Sequence, residues 1–109
     1  MAELLDRPGE PPTAVFCHTD ELAFGALAAL RHHGLHCPTD ISVVGFDDHP
    51  MARYWGLTTV SQHAHEQGVR AAYALIDALE GNEESVHRPV EELTVELMVR
   101  ETTGPALVS

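Results

Sequence analysis

Apolar residues in this chain fall into short continuous runs and longer three-and-four-spaced stripes, and the switching between the two predicts its elements. Ala14-Val15-Phe16-Cys17, with turn formers before it and Thr19-Asp20 after it, predicts a buried strand. Leu22, Ala23, Ala26, Leu27 and Leu30 predict a helix that starts at Thr19 or Asp20, either able to cap its first amides, and stops at Gly34. Those five residues form the stripe expected to lie on a sheet. Phe24 and Ala28, with Arg31 below them, widen the apolar surface, so a second partner is expected on that flank. Ile41-Ser42-Val43-Val44 is the next strand, and it stops on Gly45-Phe46-Asp47-Asp48. Strand, helix and strand within about 35 residues is the length of a right-handed βαβ unit, which places the chain in the α/β class.

Downstream, a loop containing Pro50, Met51, Tyr54 and Trp55 leads to a strand at Leu57-Thr58-Thr59-Val60-Ser61-Gln62. Val69, Ala72, Tyr73, Ile76 and Leu79 predict a helix from about Glu66 to Glu80, ended by Gly81-Asn82. Glu84 to Arg88 reads as polar loop. Val90 to Arg100 alternates as a strand would, and Glu101 to Ser109 reads as a surface-running tail. At the front, Glu3-Leu4-Leu5 is a scrap of helix before the Pro8-Gly9-Glu10-Pro11-Pro12 loop. The first methionine therefore falls inside an element, as expected for a piece of something longer.

Ligands of open parallel sheets bind at the carboxyl ends of strands. The topology expected here brings His18-Thr19-Asp20 and Phe46-Asp47-Asp48 side by side at such ends. A carboxylate accepts from neighbouring hydroxyls and an aromatic face packs on a sugar ring, so Asp47 with Phe46 or Trp55 suits a neutral polyol. The plain alternative is that Asp47 and Asp48 only cap a turn. A third reading, a magnesium-dependent phosphoryl-acceptor site at Asp20, Asp47 and Asp48, lacks the lysine such domains use. His32, His33, His36 and Cys37 read as a helix end rather than a zinc site, and His63 and His65 would share a strand face only if that strand runs on. No nucleophile elbow, phosphate loop or Cys-x-x-Cys pair is present, so no enzyme, cofactor or metal is expected.

Charge narrows the partners. Seventeen acidic residues oppose six basic ones. All six are arginines, Arg7, Arg31, Arg53, Arg70, Arg88 and Arg100, scattered among carboxylates. Such a segment repels a phosphate backbone rather than gripping it. At 109 residues it is one domain or part of one, able to bury roughly 60 to 70% of its unfolded surface. With no membrane-length apolar run and no signal core, the expected compartment is the cytoplasm, where Cys17 and Cys37 are expected to stay unpaired.

Pro12-Thr13-Ala14-Val15-Phe16, Thr19-Asp20 with Ala23 and Gly25, Pro38 through Asp48, Leu57-Thr58-Thr59-Val60 and Arg100-Glu101-Thr102-Thr103-Gly104-Pro105 occur in an order that resembles the carboxyl-terminal third of a lactose-repressor/galactose-repressor (LacI/GalR) family transcription regulator. The resemblance covers nearly all of residues 1–109. It implies part of a periplasmic-binding-protein-like sensor, a doubly wound, Rossmann-like parallel sheet that binds a sugar-like effector and forms a homodimer. DNA would be bound only through an amino-terminal helix-turn-helix that this chain does not contain. Carried over by position, Asp47 matches the acidic contact to effector hydroxyls. Thr19 stands where the family usually has asparagine, and Asp20, Phe46, Trp55 and Gln62 complete the implied effector set. Ala64 stands where an aromatic is common. The helix starting at Asp20 matches the dimer-forming helix, which implies an interface of Glu21, Phe24, Leu27, Ala28 and Arg31. A transport-type sugar-binding protein, exported rather than cytoplasmic, is the alternative with the same fold.

Overall fold

The structure is a computed structural model that describes residues 1–81 and 90–106. The expected polar loop at 84–88, the stop at Asn82 and the last tail residues lie outside the described residues. Two compact units are present: Met1–Ser61 with the segment from Leu97 onward, and Gln62–Glu96. Among the described residues no helix is long and apolar enough to cross a membrane.

The first unit is built on the expected βαβ. Helix α1 (Ala2–Leu5) precedes strand β1 (Ala14–Phe16), helix α2 (Asp20–His32) and strand β2 (Ser42–Val44). β1 and β2 pair in parallel with Val15 opposite Val43. The amide of Cys17 continues the ladder by donating to the Val44 carbonyl at 2.8 Å. On the other side of β2, Val44 bridges Thr58 in parallel, and strand β3 (Thr59–Ser61) carries the chain onward. β3 pairs with the short strand β4 (Glu96–Met98).

α2 forms because both of its ends are satisfied. The Thr19 hydroxyl accepts from the Leu22 amide at 3.2 Å, which makes Thr19 the cap and Asp20 the first helical residue. At the other end Gly34 sits at φ +71°, its amide donates to Arg31 and that of Leu35 to Leu30. Those two bonds close a Schellman motif that uses a left-handed glycine. The helix buries Ala23, Ala26 and Leu30 against Ile41, Val43, Ala52 and Leu57. Leu22, expected in that stripe, is instead 58% exposed and lines an open hollow with Met1, Leu4 and Val15. The stripe that packs is Ala23, Ala26 and Leu30, with Leu27 half-buried against the same cluster.

The tail departs further from expectation. Thr102 is buried rather than surface-running. Its hydroxyl accepts from the Thr58 amide at 2.8 Å and donates to the Val43 carbonyl at 2.7 Å, while its backbone pairs with Val43 and Gly56. It acts as one more short pairing partner for the sheet.

In the second unit, helix α3 (Ala64–Leu79) begins two residues before the expected start, after His63 in the left-handed region at φ 51°. His63 and His65 therefore do not share a strand face: β3 has ended, and His65 is helical. No α3 residue is buried, and Val69, Tyr73, Ile76 and Leu79 are exposed. Leu93 to Val95 lie outside β4, and Val95, Leu97 and Val99 are exposed, so the alternation finds no covered face to reward pairing.

Candidate functional site

Two parallel strands end side by side in the first unit, and hydrogen bonds fix the loop beyond each of them. The Asp20 amide donates to the Phe46 carbonyl at 3.1 Å, which ties the start of α2 to the loop after β2. Thr19, Phe46 and Asp47 are thereby brought to one rim, as the topology predicts. Thr19 and Asp47 are exposed there and Phe46 is half-buried.

Asp20 does not stand on that rim. It is fully buried, and both carboxylate oxygens are engaged within the protein. Oδ1 accepts from the Thr59 hydroxyl at 2.6 Å, and Oδ2 accepts from the His49 amide at 2.6 Å. The expected effector contact at Asp20 is corrected on this ground, since a sealed carboxylate with both oxygens occupied has no face for a ligand. Burial of a charge is tolerable only with such donors. Gly45 is small for the same reason: a Cβ there would lie 2.3 Å from Asp20 Oδ1.

Asp47 and Asp48 are both non-glycine residues with positive φ, at 120° and 55°. Strained backbone of this kind costs on the order of 1–3 kcal/mol per residue and persists only where neighbours enforce it. Here the Asp47 amide donates to the Val60 carbonyl at 2.8 Å, and the Asp48 amide to the Thr59 hydroxyl at 3.3 Å. The two side chains differ in exposure. Asp48 is half-buried and receives Arg100 Nη2 at 3.0 Å, while Nη1 of the same guanidinium donates to the Leu57 carbonyl at 2.9 Å. Asp47 is the more exposed carboxylate of the two. Beside them Asp48, His49, Pro50, Arg53, Met98 and Arg100 line a hollow of about 300 Å³.

The magnesium reading fails on the same geometry. Asp20 faces Thr59 and His49, Asp48 faces Arg100, and no group of metal-ligating side chains occurs among the described residues.

Trp55 is not at this rim either. Its ring lies 5.4 Å from that of Phe24, and it lines a separate hollow of about 370 Å³ with Leu27, Leu30 and Arg31. The expectation that it stacks on a ligand beside Asp47 is corrected: it belongs with the outer flank of α2. Gln62 is the first residue of the second unit, and its carbonyl accepts from the Gln67 side chain. On α2 itself, Glu21, Ala28 and Arg31 are exposed, and Phe24 and Leu27 are half-buried. Burial pushes the thiols of Cys17 and Cys37 up from their ordinary range, so neither is an activated nucleophile.

Sequence reasoning missed Thr59, His49 and Arg100. A signal for Thr59 existed, because a hydroxyl pair inside an apolar run next to an acidic strand end calls for buried acceptors. His49 acts through its backbone, which no side-chain pattern reveals.

Residues 1–103 match the periplasmic binding protein-like domain. The chain is 39% identical over 105 residues to the HTH-type transcriptional repressor CytR of Escherichia coli, covering 94% of this chain and 30% of that protein. A LacI family transcriptional regulator from Enterococcus faecium, solved with bound ribose, superimposes with a TM-score of 0.79 at 35% identity, over 97% of this chain and 38% of that one. The lac repressor dimer bound to operator and the anti-inducer ONPF superimposes with a TM-score of 0.75 at 34% identity, over 84% of this chain and 32% of that one. The chain thus spans about a third of the length of these relatives. Its parallel βαβ unit, its match over residues 1–103 and the order of its motifs agree: the chain belongs to the periplasmic binding protein-like family, in the form found in the sensors of LacI-type transcription regulators.

Proposed function

We propose that this chain is the effector-binding and dimer-forming part of a LacI-type transcriptional regulator, and that Asp47 accepts hydrogen bonds from the hydroxyls of a sugar-like effector. Thr19 and Phe46 share its rim, the first with a hydroxyl and the second with an apolar ring edge. A threonine offers one donor where an asparagine would offer two, so Asp47 carries the larger share of polar recognition. The observation that carries this reading is the strained, externally braced backbone at Asp47, which holds an exposed carboxylate at the carboxyl end of a parallel strand. The bound ribose of the Enterococcus faecium regulator supports the class of ligand.

In the whole protein the effector shifts the relation between two copies joined along α2, and so changes the affinity of separate DNA-binding heads. A coupling of this kind is worth about 1–3 kcal/mol. DNA is not gripped by this acidic segment. The protein works in the cytoplasm and performs no chemistry on its ligand.

Isothermal titration with D-ribose, other neutral pentoses and hexoses, and nucleosides tests the assignment. Replacing Asp47 with Asn or Ala is expected to weaken binding by about tenfold to a hundredfold, the loss expected of charge-assisted hydrogen bonds. Affinity equal to that of the unaltered protein in both variants would refute it.

A further inference from the structure

Asp20 is the one fully buried carboxylate among the described residues, and the proposed effector set leaves it without a role. It is also the point where three pieces of chain meet. Its amide holds the Phe46 carbonyl, Oδ2 takes the His49 amide and Oδ1 takes the Thr59 hydroxyl. Phe46 and His49 bracket the two strained residues on either side. Thr59 adds a second clamp, since the hydroxyl that donates to Asp20 also accepts from the Asp48 amide. Gly45 sits where a methyl group would strike Asp20 Oδ1, so the strand end is shaped around this carboxylate.

We infer that Asp20 is a positioning residue for effector recognition: from beneath the rim, its backbone amide holds the 46–49 loop at Phe46 while its carboxylate holds the far end, at His49 directly and at Asp48 through Thr59, and so aims Asp47. It touches no ligand and acts only through the loop. The inference rests on the reading of Asp47 as the effector contact. Replacing the Asp20 carboxylate by an amide of the same shape turns one acceptor oxygen into an NH2 donor, so either the His49 amide or the Thr59 hydroxyl loses its acceptor, and the loop gains freedom in the segment that has to stay strained.

The test uses the intact protein, with Asp20→Asn and Thr59→Val, and two readouts. The first needs no ligand: amide hydrogen exchange across residues 46–49, compared with Leu30 and Val43 in the core. Exchange in the loop is expected to rise about tenfold or more while Leu30 and Val43 keep their protection, the pattern of a local opening. Unchanged loop exchange overturns the inference. So does an equal rise at Leu30 and Val43, which marks a general structural role. Should Asp20→Asn fail to fold, Thr59→Val removes one arm of the clamp and leaves the His49 bond in place.

The second readout is titration with D-ribose, with Asp47→Asn as the control. Loss of binding in Asp47→Asn together with roughly tenfold weakening in Asp20→Asn supports the inference. Weakening in Asp47→Asn with full affinity in Asp20→Asn overturns the positioning role and leaves the effector reading standing. Full affinity in Asp47→Asn sinks the effector reading, and with it the claim that the clamp aims a ligand contact.

Discussion

A single carboxylate can be held in a conformation that no free aspartate prefers, and Asp47 at φ 120° is such a case. Glycine would take that backbone without steric strain, so the side chain must be what the position keeps. Asp47→Gly is therefore expected to match or exceed the stability of Asp47→Ala. Relief of strain is worth about 1 kcal/mol or more, against about 0.5–1 kcal/mol for glycine's extra freedom in the unfolded chain. Calorimetric melting of the two variants checks this, and an alanine variant as stable as the glycine one would mean the loop relaxes instead of storing strain. The neighbouring Gly45 makes the opposite case. A Cβ at that position would lie 3.2 Å from a Leu57 methyl and 3.3 Å from the Ala23 methyl as well as against Asp20, so Gly45→Ala is expected to cost about 1–3 kcal/mol in denaturant unfolding. The thiols give a pH statement with a definite sign. Burial raises Cys17 and Cys37 above 9.0 in the folded state, so folding favours the protonated form. Their contribution to stability is full below the ordinary thiol range and is lost as pH climbs through the raised values. Alkylation near pH 8 should be slower in native than in denatured protein; equal rates would contradict the burial.

Elements with two satisfied ends were legible in the sequence, and elements that depend on a distant partner were not. α2 was readable because Thr19 and Gly34 supply its cap and its stop and its apolar positions recur at helical spacing. β1 and β2 were readable as continuous apolar runs, and their parallel pairing followed from the helix between them. The strand expected over 90–100 shortened to Glu96–Met98, because alternating residues form a strand only where a covered face rewards them. Leu22 fits the helical period yet stays exposed, since period fixes a direction and not the presence of something to pack against. The candidate site was half legible. Strand-end logic and family likeness together placed Thr19 and Asp47, but the exposure of one aspartate and the sealing of another depend on Thr59 and on a backbone amide at His49. Thr102 illustrates the same limit, being an ordinary threonine in a tail whose hydroxyl serves both Thr58 and Val43. Thr102→Val strands a buried donor and a buried acceptor, and a loss of about 2 kcal/mol or more is expected in equilibrium unfolding. A change below a few tenths would show that water replaces the hydroxyl.

At the scale of the whole molecule, a second copy docking on the outer flank of α2, as proposed, has to approach across an unfavourable field. With a formal net charge of −11, two copies repel each other as they approach. Any association must therefore draw on apolar contact. Phe24 packed on Trp55 offers it, with Trp55 47% exposed and lining the same hollow as Arg31. Salt separates the possible driving forces. Screening at about 0.1 M and above shortens electrostatic reach to about 10 Å or less, which weakens repulsion between net charges while leaving burial of aromatic surface intact. Association through Phe24 and Trp55 should thus tighten as salt is raised from low to moderate concentration, whereas an interface held by Glu21 and Arg31 ion pairs should loosen. Sedimentation equilibrium across a salt series reads the difference directly. Trp55→Ala should weaken the dimer by about tenfold or more, as truncation of a buried aromatic anchor does, while the fold survives because Trp55 lies outside the Leu30–Val43–Leu57 core. A mass that stays monomeric at every salt concentration would remove α2 as a site of self-association, and with it the route by which an effector at Asp47 could reach a second copy.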